Sequence, residues 1–172
     1  YDDANKTVTI NFNVIPGKRI HVSQVFIDGN DTTDDTVIRR ELRQMDGSWL
    51  SSEAIEVSKS RLNRTGYFET VDVTTENAGS TDDTVNVRTK VKERPTGSIT
   101  GGIGFGTDSG LTIQAGISQN NLFGWGKRAN ISSYENDYRK HMEIGLTDPY
   151  FTVDRVSLGG RIYLDKYDGD DD

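Results

Sequence analysis

Leu111-Thr112-Ile113-Gln114-Ala115-Gly116-Ile117-Ser118 alternates apolar and polar side chains without a break. Successive side chains on a strand point to opposite faces, so a period of two predicts a strand with one apolar and one polar face. The pattern recurs on both sides of this stretch. Upstream, Ile99, Ile103 and Phe105 alternate with Ser98, Thr100, Gly102 and Gly104. Downstream, Arg128–Glu135 reads as a weaker strand, and Met142, Ile144 and Leu146 oppose His141, Glu143 and Gly145. Val156, Leu158, Ile162 and Leu164 then oppose Arg155, Ser157, Arg161 and Tyr163. Five strands joined by turns that contain Gly, Asn or Asp predict an antiparallel meander. Alternation leaves open what the faces meet. A sheet between lipid and a water-filled lumen fits, and so does a sheet with one ordinary solvated face.

Composition separates this region from the rest. Of 18 glycines, 5 fall in residues 1–95 and 13 in residues 96–172. Pro16, Pro95 and Pro149 sit at apparent joints, and Pro cannot donate to a strand ladder. A boundary is therefore expected at Lys92-Glu93-Arg94-Pro95, dividing the chain into residues 1–17, 18–94 and 95–172. The whole chain has 172 residues, 33% of them hydrophobic, and a net charge of -7. That charge argues against nucleic acid as a partner. Absence of Cys excludes a disulfide scaffold and thiolate zinc sites. No stretch approaches the ~18 apolar residues of a spanning helix, a test blind to membrane strands. The start at Tyr1, without Met or a signal-like segment, reads as an excised piece.

The first half mixes strands and helices. Val8, Ile10, Phe12 and Val14 predict a strand that Pro16-Gly17 stops. In the next, Arg19–Ile27, the apolar phase slips between Val22 and Val25, which predicts a bulge. Thr32 and Asp35 fit a capping box, and Ile38, Leu42 and Met45 share one helical face up to Asp46-Gly47. A second helix starts at Ser51 or Ser52, buries Ile55 and Leu62, and ends at Gly66. Strands follow at Tyr67–Thr75 and Thr84–Lys92. The expected fold is thus an α+β module, β-α-α-β-β, followed by antiparallel strands.

No residue set makes a catalytic or cofactor site. Gly101–Gly106 matches no dinucleotide fingerprint and opens no helix. His21 and His141 have no partners at ligand spacing, and Asp165, Asp168 and Asp170–Asp172 miss the calcium-loop register. The expectation is no enzyme, no cofactor and no metal. Arg39, Arg40 and Arg43, interleaved with Glu41 and followed by Asp46, read as a mixed-charge partner surface. Phe123 and Trp125 fit either an interfacial aromatic anchor or packing against the preceding module.

Several ordered motifs are familiar together. Gly29-Asn30-Asp31-Thr32 followed by Val37–Gln44 resembles the start of a POTRA domain, and Arg61–Val71 resembles its second helix entering its second strand. Val91-Lys92-Glu93-Arg94 before the glycine-rich Gly97–Gly106 resembles the opening strand of a barrel, and Asp148-Pro149-Tyr150-Phe151 a turn between early barrel strands. The chain resembles the BamA family of bacterial outer-membrane β-barrel assembly factors over nearly its whole length. The resemblance implies the last POTRA domain, in the periplasm, and the first strands of an incomplete transmembrane β-barrel. Residues 1–17 would end a preceding POTRA domain. The family's barrel has about sixteen strands, and five cannot close one, for which ~8 is the smallest number.

The resemblance also implies partners: accessory outer-membrane lipoproteins, unfolded outer-membrane proteins and the lipid bilayer. It places a lipoprotein contact at Arg39, Arg43 and Asp46, where the family typically has Glu at the last position. It makes Ser98, Ile99, Thr100, Gly101, Gly102, Ile103, Gly104 and Phe105 the strand that pairs with incoming substrate. An exposed strand edge at Tyr67, Phe68, Glu69, Thr70 and Val71 could also take up an extended segment. Glycine weakens a strand by roughly 0.5–1 kcal/mol relative to Ala, so the first barrel strand would close its seam loosely. The glycines could equally serve curvature alone. A related transporter on the same architecture, or a soluble α+β binding module, remains open at this point.

Overall fold

The computed structural model describes residues 8–13, 17–79 and 81–169. Its α+β unit begins with β1 (His21–Asp28), continues through α1 (Asp35–Arg39) and α2 (Ser52–Thr65), and ends with β2 (Phe68–Asn77) and β3 (Thr84–Glu93). The sheet order is β1-β3-β2, with β1 parallel and β2 antiparallel to the central β3. On β3, Val87, Thr89 and Val91 are buried on one face. Ile38 from α1 and Leu62 from α2, both fully buried, join Val22, Val25 and Val71 there in one core.

The expected bulge is present. Pairing of β1 with β3 shifts register between Val22 and Val25, and the Val25 N–H released from the ladder donates to Asp46 Oδ1 at 2.5 Å. Ser51 caps α2 through its hydroxyl, and Gly66 closes it in the left-handed region at φ 73°.

Helix α1 differs from expectation at both ends. Its N-cap is Asp34, whose carboxylate accepts the Thr36 N–H, and Thr32 lies outside the helix. It stops at Arg39 rather than running to Asp46. The Arg43 N–H goes to Ser58 Oγ at 2.7 Å, and the Gln44 side chain bonds Ser48, Trp49 and Ser51. The Ser58 hydroxyl thus takes the N–H that a continued helix would use, and Leu42 is buried from a turn while Met45 is exposed. Residues 8–13 form no strand and are exposed, while Val14 lies outside the described residues.

The second half is an uninterrupted meander: β4 (Gly97–Gly106), β5 (Gly110–Gln119), β6 (Arg128–Glu135), β7 (Arg139–Asp148) and β8 (Leu158–Tyr167). Val156 belongs to the turn before β8, not to the strand. The registers align one residue of each strand across the sheet. Ile99, Ile117, Ile131, Ile144 and Ile162 form a continuous row, with Ala115, Ser133, Met142 and Leu164 in the row beside it. The opposite face carries Ser98, Ser118, Asn130 and Arg161, then Thr100, Ser132, Glu143 and Tyr163. His141 lies on that polar face beside Asp165, at 2.6 Å, and 3.6 Å from Glu143. The strand spacing thus supplies acidic partners that linear spacing did not reveal.

Thr89 is wholly buried and its hydroxyl has no hydrogen-bond partner among the described residues. An unsatisfied buried polar group costs about 1–3 kcal/mol. Thr89→Val keeps the shape and removes the hydroxyl. It is expected to raise the unfolding free energy by roughly 1 kcal/mol, read as a higher urea midpoint with unchanged slope. A lower midpoint would mean that the hydroxyl is satisfied in solution.

Candidate functional site

The turns at one end of the meander are fastened to the α+β unit at two places. The first is the β5–β6 turn. Asn121 (φ 65°) and Phe123 (φ 52°) adopt left-handed backbone, as do Gly124 and Gly126. Side-chain O and N of Asn121 act in opposite directions. Its Oδ1 accepts the Gly126 N–H at 2.8 Å, and its Nδ2 donates to Thr33 Oγ1 at 2.9 Å. Asp34 N–H then donates to Gly124 O at 2.9 Å. A Cβ on Gly124 would meet the Thr32 carbonyl, so this approach requires glycine. Glu93, at the end of β3, accepts the Thr32 and Thr33 N–H groups at 3.0 and 2.6 Å.

The second is the β7–β8 turn. Glu41 is buried, and its carboxylate lies 2.8 Å from Arg61 Nη2. The Tyr150 hydroxyl donates to the same carboxylate, and Arg155 reaches it at 3.8 Å. Arg40 stacks on the Tyr150 ring, 4.0 Å from its centre. Desolvation, then the hydrogen bond to Glu41, holds the Tyr150 phenol above its ordinary range.

The residues proposed from sequence are dispersed relative to this junction. Arg39 pairs with Asp35 at 2.9 Å and lies 3.9 Å from Asp46. Arg43 donates to the Arg40 and Leu42 carbonyls. Asp46 secures the β1 bulge, so it has a structural task independent of any partner. Arg40, grouped with Arg39 and Arg43 by sequence, belongs instead to the junction. Tyr67, Phe68 and Val71 are buried, while Glu69 and Thr70 are exposed on β2, an outer strand of its sheet. β4, carrying Ser98–Phe105, is an end strand of the meander, and Ile99, Ile103 and Phe105 are each about four-fifths exposed. Phe123 and Trp125 are exposed and make an edge-to-face pair at 5.3 Å, so they do not pack into the α+β unit. Sequence reading named Glu41 only within a mixed-charge surface and Glu93 only at the domain boundary, and it missed Asn121; Tyr150 was visible only inside a turn motif.

Comparison with known proteins covers both halves. Residues 20–94 match the POTRA family, described as surface antigen variable number repeat, and residues 121–172 match the Omp85 superfamily domain. The outer membrane protein assembly factor BamA of Neisseria meningitidis serogroup B is 39% identical over 95% of this chain and 20% of its own length. That of Buchnera aphidicola is 34% identical over 96% of this chain and 27% of its own length. The chain therefore spans about a quarter or less of these curated relatives. The crystal structure of BamA from Haemophilus ducreyi lacking POTRA domains 1–3 matches with a TM-score of 0.85 and 44% identity, covering 100% of this chain and 32% of that one.

Desolvation is the largest influence on Glu93 and opposes its ionisation. The hydrogen bonds from Thr33 and Thr32 together outweigh it, and its pKa lies below the ordinary 4.5. A depressed carboxyl contributes stability above the unfolded pKa and loses it as pH falls through the folded one. Glu93→Gln is expected to speed amide exchange at Thr32 and Thr33 relative to wild type at pH 7. The difference should shrink as pH falls below about 4.5. A difference that persists unchanged into acid would show that the charge of Glu93 does not hold the junction.

Proposed function

The chain belongs to the BamA family of outer membrane protein assembly factors, and from that premise we propose that it forms the part of an outer-membrane insertase where the last POTRA domain meets the first barrel strands. The meander is the opening part of a transmembrane β-barrel wall, and the α+β unit is the POTRA domain on its periplasmic side. The observation that carries this reading is the row Ile99–Ile117–Ile131–Ile144–Ile162. All five side chains are roughly half or more exposed, with no described element covering them and a polar face behind them. An ordinary aqueous sheet buries its apolar face; a barrel wall turns that face to lipid and its polar face to the lumen. Four of the five strands have 10 residues, within the 9–11 that cross a bilayer when tilted.

Strand β4 is the template for incoming substrate strands. Its outer edge offers N–H and C=O groups to a further strand. None of its glycines takes positive φ, and a Cβ at Gly104 would meet nothing within 4 Å. Neither a turn nor local crowding requires glycine at that position, which supports a role in loosening a seam. The POTRA domain recruits accessory lipoproteins through Arg39, Arg43 and Asp46 and guides substrate along the β2 edge at Tyr67–Val71. No nucleotide, metal or cofactor takes part.

Two experiments test these roles. With single cysteines along Ser98–Phe105 and Leu111–Ser118 of the full-length protein, a stalled substrate should crosslink to β4, in a register that steps by two residues. β5 is paired on both sides and serves as the internal control. Equal crosslinking to both strands would end the template assignment. For the lipoprotein surface, Arg43→Glu should weaken co-purification with little change in the melting temperature, because Arg43 bonds only the nearby Arg40 and Leu42 carbonyls. Asp46→Lys should lower both, because it also frees the Val25 N–H. Full co-purification by folded Arg39→Glu and Arg43→Glu proteins would remove that surface.

A further inference from the structure

A cavity of about 310 Å³ opens at the junction between the two halves. Arg40, Arg61 and Arg64 of the α+β unit and Arg128 and Arg155 of the meander line it, with Glu41 as the single carboxylate in the lining. Glu41 engages Arg61 closely and Arg155 distantly. Arg40, Arg64 and Arg128 have no ion-pair partner among the described residues. Arg40 Nε is buried and makes no hydrogen bond among them, an unmet donor of a kind folded proteins rarely leave. Arg64 is a cation in the last turn of α2, and Arg40 stacks on the Tyr150 ring, which leaves its Nε unmet. Helix polarity does not account for Arg128 at the start of β6 or Arg155 in the β7–β8 turn.

Five guanidinium groups against one carboxylate repel one another unless an anion joins them. The planar fork of Arg matches the oxygens of a phosphate group better than any other common anion-binding side chain. We propose that this cavity binds a phosphate group, held by arginines from both halves, which thereby cross-links the α+β unit to the meander turns. The phosphate comes from a phospholipid headgroup or from a soluble phosphate compound. Arg128 lies three residues from Ile131 in the apolar row, on the order of 10 Å along a strand. The exposed Phe123 and Trp125 stand at the same end. That level suits a headgroup, and this source rests on the membrane reading above. Arg128 shares the polar face with Asn130 and Ser132, which suits a soluble phosphate.

The test uses the full-length protein in phosphorus-free detergent micelles. Inorganic phosphate is titrated while its ³¹P line width is followed, with chloride at matched ionic strength as control. Retention of added phosphatidylglycerol is measured in parallel by native mass spectrometry. Wild type should broaden the phosphate line saturably, and Arg64→Gln/Arg128→Gln should weaken this by about tenfold or more. Arg155→Gln, in an exposed turn, provides a second variant should the double one fail to fold, and it should weaken binding in the same direction. Phosphatidylglycerol retained by wild type and lost by the variants identifies the headgroup. Phosphate binding lost with lipid retention unchanged identifies a soluble source and leaves the insertase reading untouched. Equal phosphate broadening by wild type and folded variants overturns the site, whatever the substrate crosslinks show.

Discussion

A buried carboxylate sets the geometry on which the two halves depend. An ion removed from water costs several kcal/mol unless charges and donors surround it. Arg61 of α2 and Tyr150 of the β7–β8 turn meet that condition for Glu41 directly, with Arg155 more distant. The partners come from both halves, so the angle between them is not free. The Asn121 side chain adds a second fixed point at the neighbouring turn, with its amide divided between Thr33 and Gly126. Two separated attachments resist rotation in a way that one cannot.

The halves satisfy the hydrophobic effect differently. In the α+β unit, Ile38 and Leu62 descend from helices onto one face of a three-stranded sheet and seal an ordinary core. In the meander, isoleucines stand in register across five strands and nothing in the described chain covers them. Such a face is stable only where the surroundings are themselves apolar. One continuous chain is therefore adapted to two solvents, and the junction lies where they meet.

Local periodicity made much of this legible. The alternation at 111–118 specified β5 and its faces, and the phase slip between Val22 and Val25 marked the bulge. Features set by distant partners were not legible. α1 ends early as Ser58 captures the Arg43 N–H, and at its start Asp34 is the cap while the Thr32 N–H goes to Glu93. Neither pair follows a local period, and Thr32 and Glu93 lie 61 residues apart. The same holds for Glu41 with Tyr150 and for Asn121 with Thr33, so the junction was invisible while its flanking strands were plain. Asp46 likewise has a structural task that no local pattern showed, because the Val25 N–H that its carboxylate accepts lies 21 residues away.

Connectivity has a kinetic consequence. The parallel pairing of β1 with β3 obliges residues 21–28 to find residues 84–90, so the α+β sheet cannot close until its last strand exists. Every strand of the meander pairs only with its neighbours in sequence, and β4 meets β5 across a turn at 107–109. Short loops close with little entropy, and local pairing forms fast. The meander can therefore lengthen hairpin by hairpin. Its advancing side changes with each strand laid down, while the side begun by β4 stays where it started, giving the sheet a fixed direction of growth.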